Sequence, residues 1–153
     1  MSKQAKRQLA GSGETLPAGA VGEVISITGN YSGGTTTGAT AGSLTLTPGI
    51  WVVSISAASL YSSGSISVLE WVAKWTTNSA LNPAITDYYT TVSDTIGFAN
   101  STATTTAQNR GNPSVVLVTS VASSTPYYLR VAVTATGGGS IGLNTAIRAV
   151  RIA

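Results

Sequence analysis

Ser43-Leu44-Thr45-Leu46-Thr47-Pro48-Gly49-Ile50-Trp51-Val52-Val53-Ser54-Ile55-Ser56-Ala57 is the stretch that decides the class of fold. Leu44 and Leu46 alternate with Ser43, Thr45 and Thr47, the two-residue period of a half-buried strand. Pro48-Gly49 then makes a turn, because proline presets φ and glycine accepts a positive one. Ile50-Trp51-Val52-Val53 begins a buried strand, which relaxes into alternation at Ser54-Ile55-Ser56-Ala57 and runs on to residue 61.

On the N-terminal side, Val24, Ile25 and Ile27 open an earlier β run, and residues 1–22 read as an arm or linker. On the C-terminal side Ile66 and Val68 alternate with Ser65, Ser67 and Leu69, and Trp71 and Trp75 follow. Val68, Leu69, Val72 and Trp75 also fit helical spacing, but β-branched and aromatic content without helix caps favours a strand. Asn82-Pro83 marks a loop, residues 88–92 read as a short strand, residues 102–108 as extended chain, and Arg110-Gly111-Asn112-Pro113 as a turn. Strands follow over 114–121, 127–136 and about 141–152. Clusters of Gly, Ser, Thr and Asn separate these runs and no fixed repeat appears. The expectation is an all-β protein: a jelly-roll-like antiparallel sandwich over 23–153 carrying an extended N-terminal arm.

Composition narrows the chemistry. The 153 residues are enough for one domain with a real core. Cysteine and histidine are both absent, which removes disulfides, thiolate metal sites and the commonest general base. Charged residues make up 8% of the chain, against about 25% in typical soluble domains. Its polar surface is therefore Ser, Thr, Asn and Gly, which suits proteins that live packed into assemblies. The net charge of +3 owes much to Lys3, Lys6 and Arg7, and the remainder is close to neutral. Without a basic stripe on the folded body, nucleic acid is not an expected partner. No run approaches a membrane span and no apolar targeting segment follows the first basic residues, so synthesis in the cytoplasm and a soluble chain are expected.

Catalysis finds little support. Without histidine a serine nucleophile would need Lys74, which lies on a strand with no nucleophile elbow nearby. The five acids are too few and scattered for a glycosidase pair or a calcium cage, and Gly137-Gly138-Gly139 joins no strand to a helix. Neither an enzymatic activity nor a cofactor is expected. Asp87, Tyr88, Tyr89 and Asp94 form a candidate rim for a glycan or a partner. Trp51, Trp71 and Trp75 are expected in the core or at a subunit interface, a sugar-stacking role being the alternative for one of them or for Tyr61.

The order of these motifs resembles a family of small virion structural proteins of tailed bacteriophages. Leu16-Pro17-Ala18-Gly19-Ala20-Val21-Gly22-Glu23 is similar to the family's A-G-x-x-G-E opening. The stretch from Ser43 through Ser54 resembles its S-L-T-L-T-x-G-x-W-x-V-S hairpin, and Tyr127-Tyr128-Leu129 its Y-Y-L strand. Ile147-Arg148-Ala149-Val150-Arg151-Ile152 is similar to its last strand, while residues 74–110 follow no shared pattern. The resemblance implies a jelly-roll-like sandwich, often a homotrimer, carried on a capsid or tail. Two functions stay open. One is a decoration (cement or head-fibre) protein whose arm, through Lys3, Lys6 and Arg7, anchors on the major capsid protein. The other is a tail-fibre or spike component that binds a host glycan through the middle loops. A non-viral TNF- or C1q-like binding module is a more distant third.

Overall fold

The computed structural model describes residues 19–63, 68–84, 95–100, 109–110, 114–137 and 140–153. Their strands are β1 (Val24–Gly33), β2 (Thr36–Leu46), β3 (Gly49–Ser63), β4 (Val68–Thr76), β5 (Thr95–Asn100), β6 (Asn109–Arg110), β7 (Ser114–Val121), β8 (Thr125–Thr136) and β9 (Ser140–Arg151). One sheet runs β1-β9-β3, with β7 and β6 sharing the far flank of β3; the other runs β2-β8-β4-β5. All pairings are antiparallel. Except at the β4–β5 step and the short β6, each connection carries the chain from one sheet to the other. That order is a jelly roll.

Two expectations need correction. The 43–54 stretch is not a hairpin: β2 pairs with β8, whereas β3 pairs with β9 and β7 in the opposite sheet. Pro48-Gly49 is instead a corner between layers, where Gly49 takes φ 149° and packs beneath Ala153 O and the Arg151 guanidinium. Arg110, read as the start of a turn, still pairs with Ser59 of β3. The sequence reading also missed β5, and it missed the length of β1 and β2. Glycine- and threonine-rich chain at 29–33 and 36–42 forms strand here because its neighbours supply the ladder.

Alternation sorts the side chains. Trp51, Val53, Ile55 and Ala57 of β3 and Ile141, Leu143, Ile147 and Ala149 of β9 point between the sheets and are buried. From the other sheet Leu44, Leu46, Trp71, Ala73, Trp75, Leu129, Val131 and Val133 meet them. All three tryptophans are thus core residues; Trp51 Nε1 donates to Thr47 O at 2.9 Å. Trp75 stacks on Tyr127 with centroids 5.2 Å apart and planes 11° from parallel.

The sheets are clasped where β1 and β9 meet β2. Ala41 is an extra residue in β2, since Thr40 pairs with Arg130 and Gly42 with Leu129, leaving Ala41 no partner in the register. Its carbonyl leaves the ladder and accepts a 2.9 Å hydrogen bond from the buried Thr145 Oγ1 of β9. Gly29 of β1 lies against the same carbonyl so closely that a Cβ there would collide with it.

On the other side of the molecule the outward face of the second sheet is covered by its own loop. Val72 and Ala132 point away from the core yet are buried, as is Pro83 of the segment 77–84. Buried Arg130 holds that segment down, donating to Leu81 O at 2.9 Å and to Thr40 Oγ1 at 2.7 Å.

Thr145→Val is expected to leave the Ala41 carbonyl buried without a donor and to lower unfolding free energy in urea by about 1–3 kcal/mol. Thr145→Ser should restore part of it, and Gly29→Ala should cost more than Thr145→Val because backbone must move. A second expectation concerns pH. Burial pushes the Tyr31 and Tyr127 phenols above their ordinary range. The folded chain therefore keeps these protons where the unfolded chain loses them. Their contribution is complete below about pH 10 and is lost as pH rises through the folded values. Thermal midpoints should fall above pH 10, and less steeply in Tyr31→Phe with Tyr127→Phe.

Candidate assembly surface

Of the residues singled out in the sequence, Trp51, Trp71 and Trp75 lie in the core, whereas the arm and loop candidates fall outside the described structure. Lys3, Lys6 and Arg7 of the arm and Asp87, Tyr88, Tyr89 and Asp94 of the middle segment all lie outside it. What is described of the arm is its junction with the body. The Glu23 carboxylate is buried and accepts the Gly19 N–H at 2.6 Å, while Gly22 N donates to Arg151 O at 2.8 Å. Residues 19–22 are therefore fastened to the body at the end of β9.

The surface that stands out is the outward face of the β1-β9-β3-β7 sheet. The registers place its side chains in rows across the four strands: Val24-Val150-Val52-Val118, Ser26-Arg148-Ser54-Val116, and Thr28-Ala146-Ser56-Ser114. A further row, Asn30-Asn144-Ala58, spans three of them. The first row is entirely valine. Ile50, Ile152 and Val21, all exposed, extend it toward the end where residues 19–22 are fastened. Val116 and Val118 are 65% and 67% exposed, far more than β-branched residues inside a pleated sheet usually are.

Beyond the valines the face is lined by small side chains and dips inward. One concavity of about 770 Å³ is bounded by Thr28, Asn30, Ser56, Ala58, Asn144 and Ala146. A second, of about 540 Å³, adjoins it along Thr28, Ser56 and Ala146 and reaches Ser54, Val116 and Arg148. These groups can donate and accept hydrogen bonds through hydroxyls, amides and one guanidinium. The lining includes no carboxylate and no aromatic ring, so it offers neither an acid–base pair nor a sugar-stacking platform. Among the described residues no cluster of three or more His, Cys, Asp or Glu could hold a metal. Chemically the face is suited to contact: broad, nearly uncharged, apolar at one end and lined by small polar groups at the other.

The composition hinted at such a face through its scarcity of charge, but not at its location. β1, β9 and β3 each contribute a single outward valine, and only the register joins Val24, Val150, Val52 and Val118 into a band.

No family model matches the chain, and no curated protein does. Among solved structures it is similar to the VP2 subviral particle of infectious bursal disease virus, at 14% identity and a TM-score of 0.41 over 86% of this chain and 38% of that one. The Gx strain of the same virus gives 14% identity and a TM-score of 0.42, over 86% of this chain and 37% of that one. The chain thus spans well under half the length of those chains. Its jelly-roll assignment stands on its own strand order.

Val24→Thr with Val150→Thr is expected to change stability by no more than about 0.5 kcal/mol, because surface substitutions away from packed features rarely do more. The same pair should visibly reduce binding of a fluorescent apolar dye. Unchanged dye binding would mean that the band is not an accessible apolar surface.

Proposed function

We propose that this chain is a virion structural protein, and more specifically a decoration protein on the head of a tailed phage. The observation that carries the proposal is the valine band on an almost charge-free sheet face. Apolar area of this kind, left uncovered on a monomer, marks a surface meant for a neighbour. The resemblance of its motifs to small phage virion proteins supports the same reading, as does a body with only 8% charged residues. In this reading the jelly roll sits on the shell and the basic arm, through Lys3, Lys6 and Arg7, anchors on an acidic surface of the major capsid protein. Clamping adjacent capsomers would then oppose the pressure of packaged DNA. The role is architectural, and no reaction is assigned to it.

Locating the chain in cryo-electron density of the intact particle tests this directly. Density between head capsomers is the expected result, and density at the tail tip would move the assignment to host recognition. Deleting residues 1–13 should abolish association with the capsid while leaving the thermal midpoint of the body unchanged. Full capsid binding by the truncated chain would sink the arm as anchor. On a glycan array the protein is expected to bind nothing. Binding abolished by Tyr88→Ala with Tyr89→Ala would establish the tail-fibre reading instead.

A further inference from the structure

Among the described residues β7 is an edge strand without the usual protection. It pairs with β3 through eight consecutive residue pairs, Gly49–Val121 to Ser56–Ser114, with no register shift, and no described strand pairs with its other side. Natural edges are blunted by lysine, proline, bulges or covering chain. The edges at the opposite side of the sandwich show such devices: β2 is broken by two register shifts, and β1 is carried against β2 at Gly29. β7 has the sequence Ser-Val-Val-Leu-Val-Thr-Ser-Val, with no charge, no proline and no glycine. Its outward residues Val116 and Val118 are also the most exposed valines on the sheet face.

The sequence of the strand says what fits beside it. Residues 114–120 read Ser-Val-Val-Leu-Val-Thr-Ser, and reversed they read Ser-Thr-Val-Leu-Val-Val-Ser. The strand is a palindrome about Leu117 except that Val115 answers Thr119, two β-branched residues of nearly equal shape. A palindromic strand is what an isologous antiparallel contact requires, because a two-fold axis sets residue i against residue j and j against i.

We infer that β7 pairs antiparallel with β7 of a second copy of this chain, joining the two β1-β9-β3-β7 sheets into one continuous sheet. With the axis at Leu117, Ser114 faces Ser120, Val115 faces Thr119, and Val116 faces Val118 of the other copy. Inward residues stay inward and outward residues outward, as a shared sheet demands. This register sets two Val116–Val118 pairs on the outward face. A slip of two residues either way leaves one valine–valine pair there and sets the other valines against serines. A slip of one residue turns Leu117 to the wrong face. The pairing works whichever alternate residues direct their N–H and C=O to the free edge, because antiparallel ladders accept a two-fold axis at either kind of residue pair. It also merges two valine bands into one, giving the proposed virion partner a doubled surface. The contact itself does not depend on that proposal.

A single strand pair buries little area, so the dimer should be weak and concentration-dependent. Sedimentation equilibrium of the full chain up to about 1 mM tests it. The expected result is growth from the 15.4 kDa of one chain toward twice that mass. Val116→Lys with Val118→Lys should hold the chain monomeric with little change in thermal midpoint, since both side chains face solvent in the single copy. Hydrogen exchange on the unaltered chain gives a second readout that needs no variant. Alternate amides of β7 should gain protection as concentration rises, while those of β9, paired on both sides, should not change. The inference is overturned if the chain stays monomeric throughout, or if β7 exchange is independent of concentration. It is equally overturned by a dimer or trimer that survives the lysine pair.

Discussion

The extra residue in β2 leaves the Ala41 carbonyl outside its ladder, and the way that carbonyl is satisfied governs how closely the two sheets approach. Thr145 of the opposite sheet supplies the hydrogen bond, and Gly29 supplies the space by having no side chain. A buried carbonyl without a donor costs about as much as a lost core methylene or more, so the position is constrained from both sides. Once the sheets are set at this distance, Ile27, Ile147 and Ala41 pack together and the core continues toward Trp51 and Trp71. Because the bulge shifts the phase of alternation, Ala39 and Ala41 as well as Leu44 and Leu46 can share one inward face.

With the interior closed in this way, the two outer faces are treated differently. The β2-β8-β4-β5 sheet is covered by segment 77–84, which Arg130 ties to β2 and β8, so that Val72 and Ala132 are buried although they point away from the core. The β1-β9-β3-β7 sheet has no such cover among the described residues and displays Val24, Val52, Val150 and Val118 in one row. One outer face is covered within the chain, and among the described residues the other is not.

The open edge at β7 and the valine band are parts of one surface. Val116 and Val118 belong to both, being outward on the face and adjacent to the unpaired flank of the strand. A contact along the edge would extend the face, with Val116 and Val118 taking part in both. Residues 19–22 are fastened beside β9 at the same end of the sheet that carries Val24, Ile50 and Ile152.

Period-2 alternation by itself determined the all-β class and most strands, because a half-buried strand must alternate whatever its partners are. The 114–121 strand and the run through Trp51 to Ala57 were legible for this reason, and Trp71 with Trp75 was rightly assigned to a strand against a helical alternative. Tertiary structure alone decided the rest. The chain at 36–42 is weakly apolar and crosses two register shifts, so its alternation is broken exactly where a periodicity reading needs it whole, and β5 likewise passed unrecognised. Local pattern cannot distinguish a hairpin from a corner at Pro48-Gly49, since both need the same turn chemistry; only the distant partners β8 and β9 send β2 and β3 to different sheets. The valine band belongs to the same category. Its members come from positions 24, 52, 118 and 150, and a row made across strands is a property of register, which no single stretch of sequence contains.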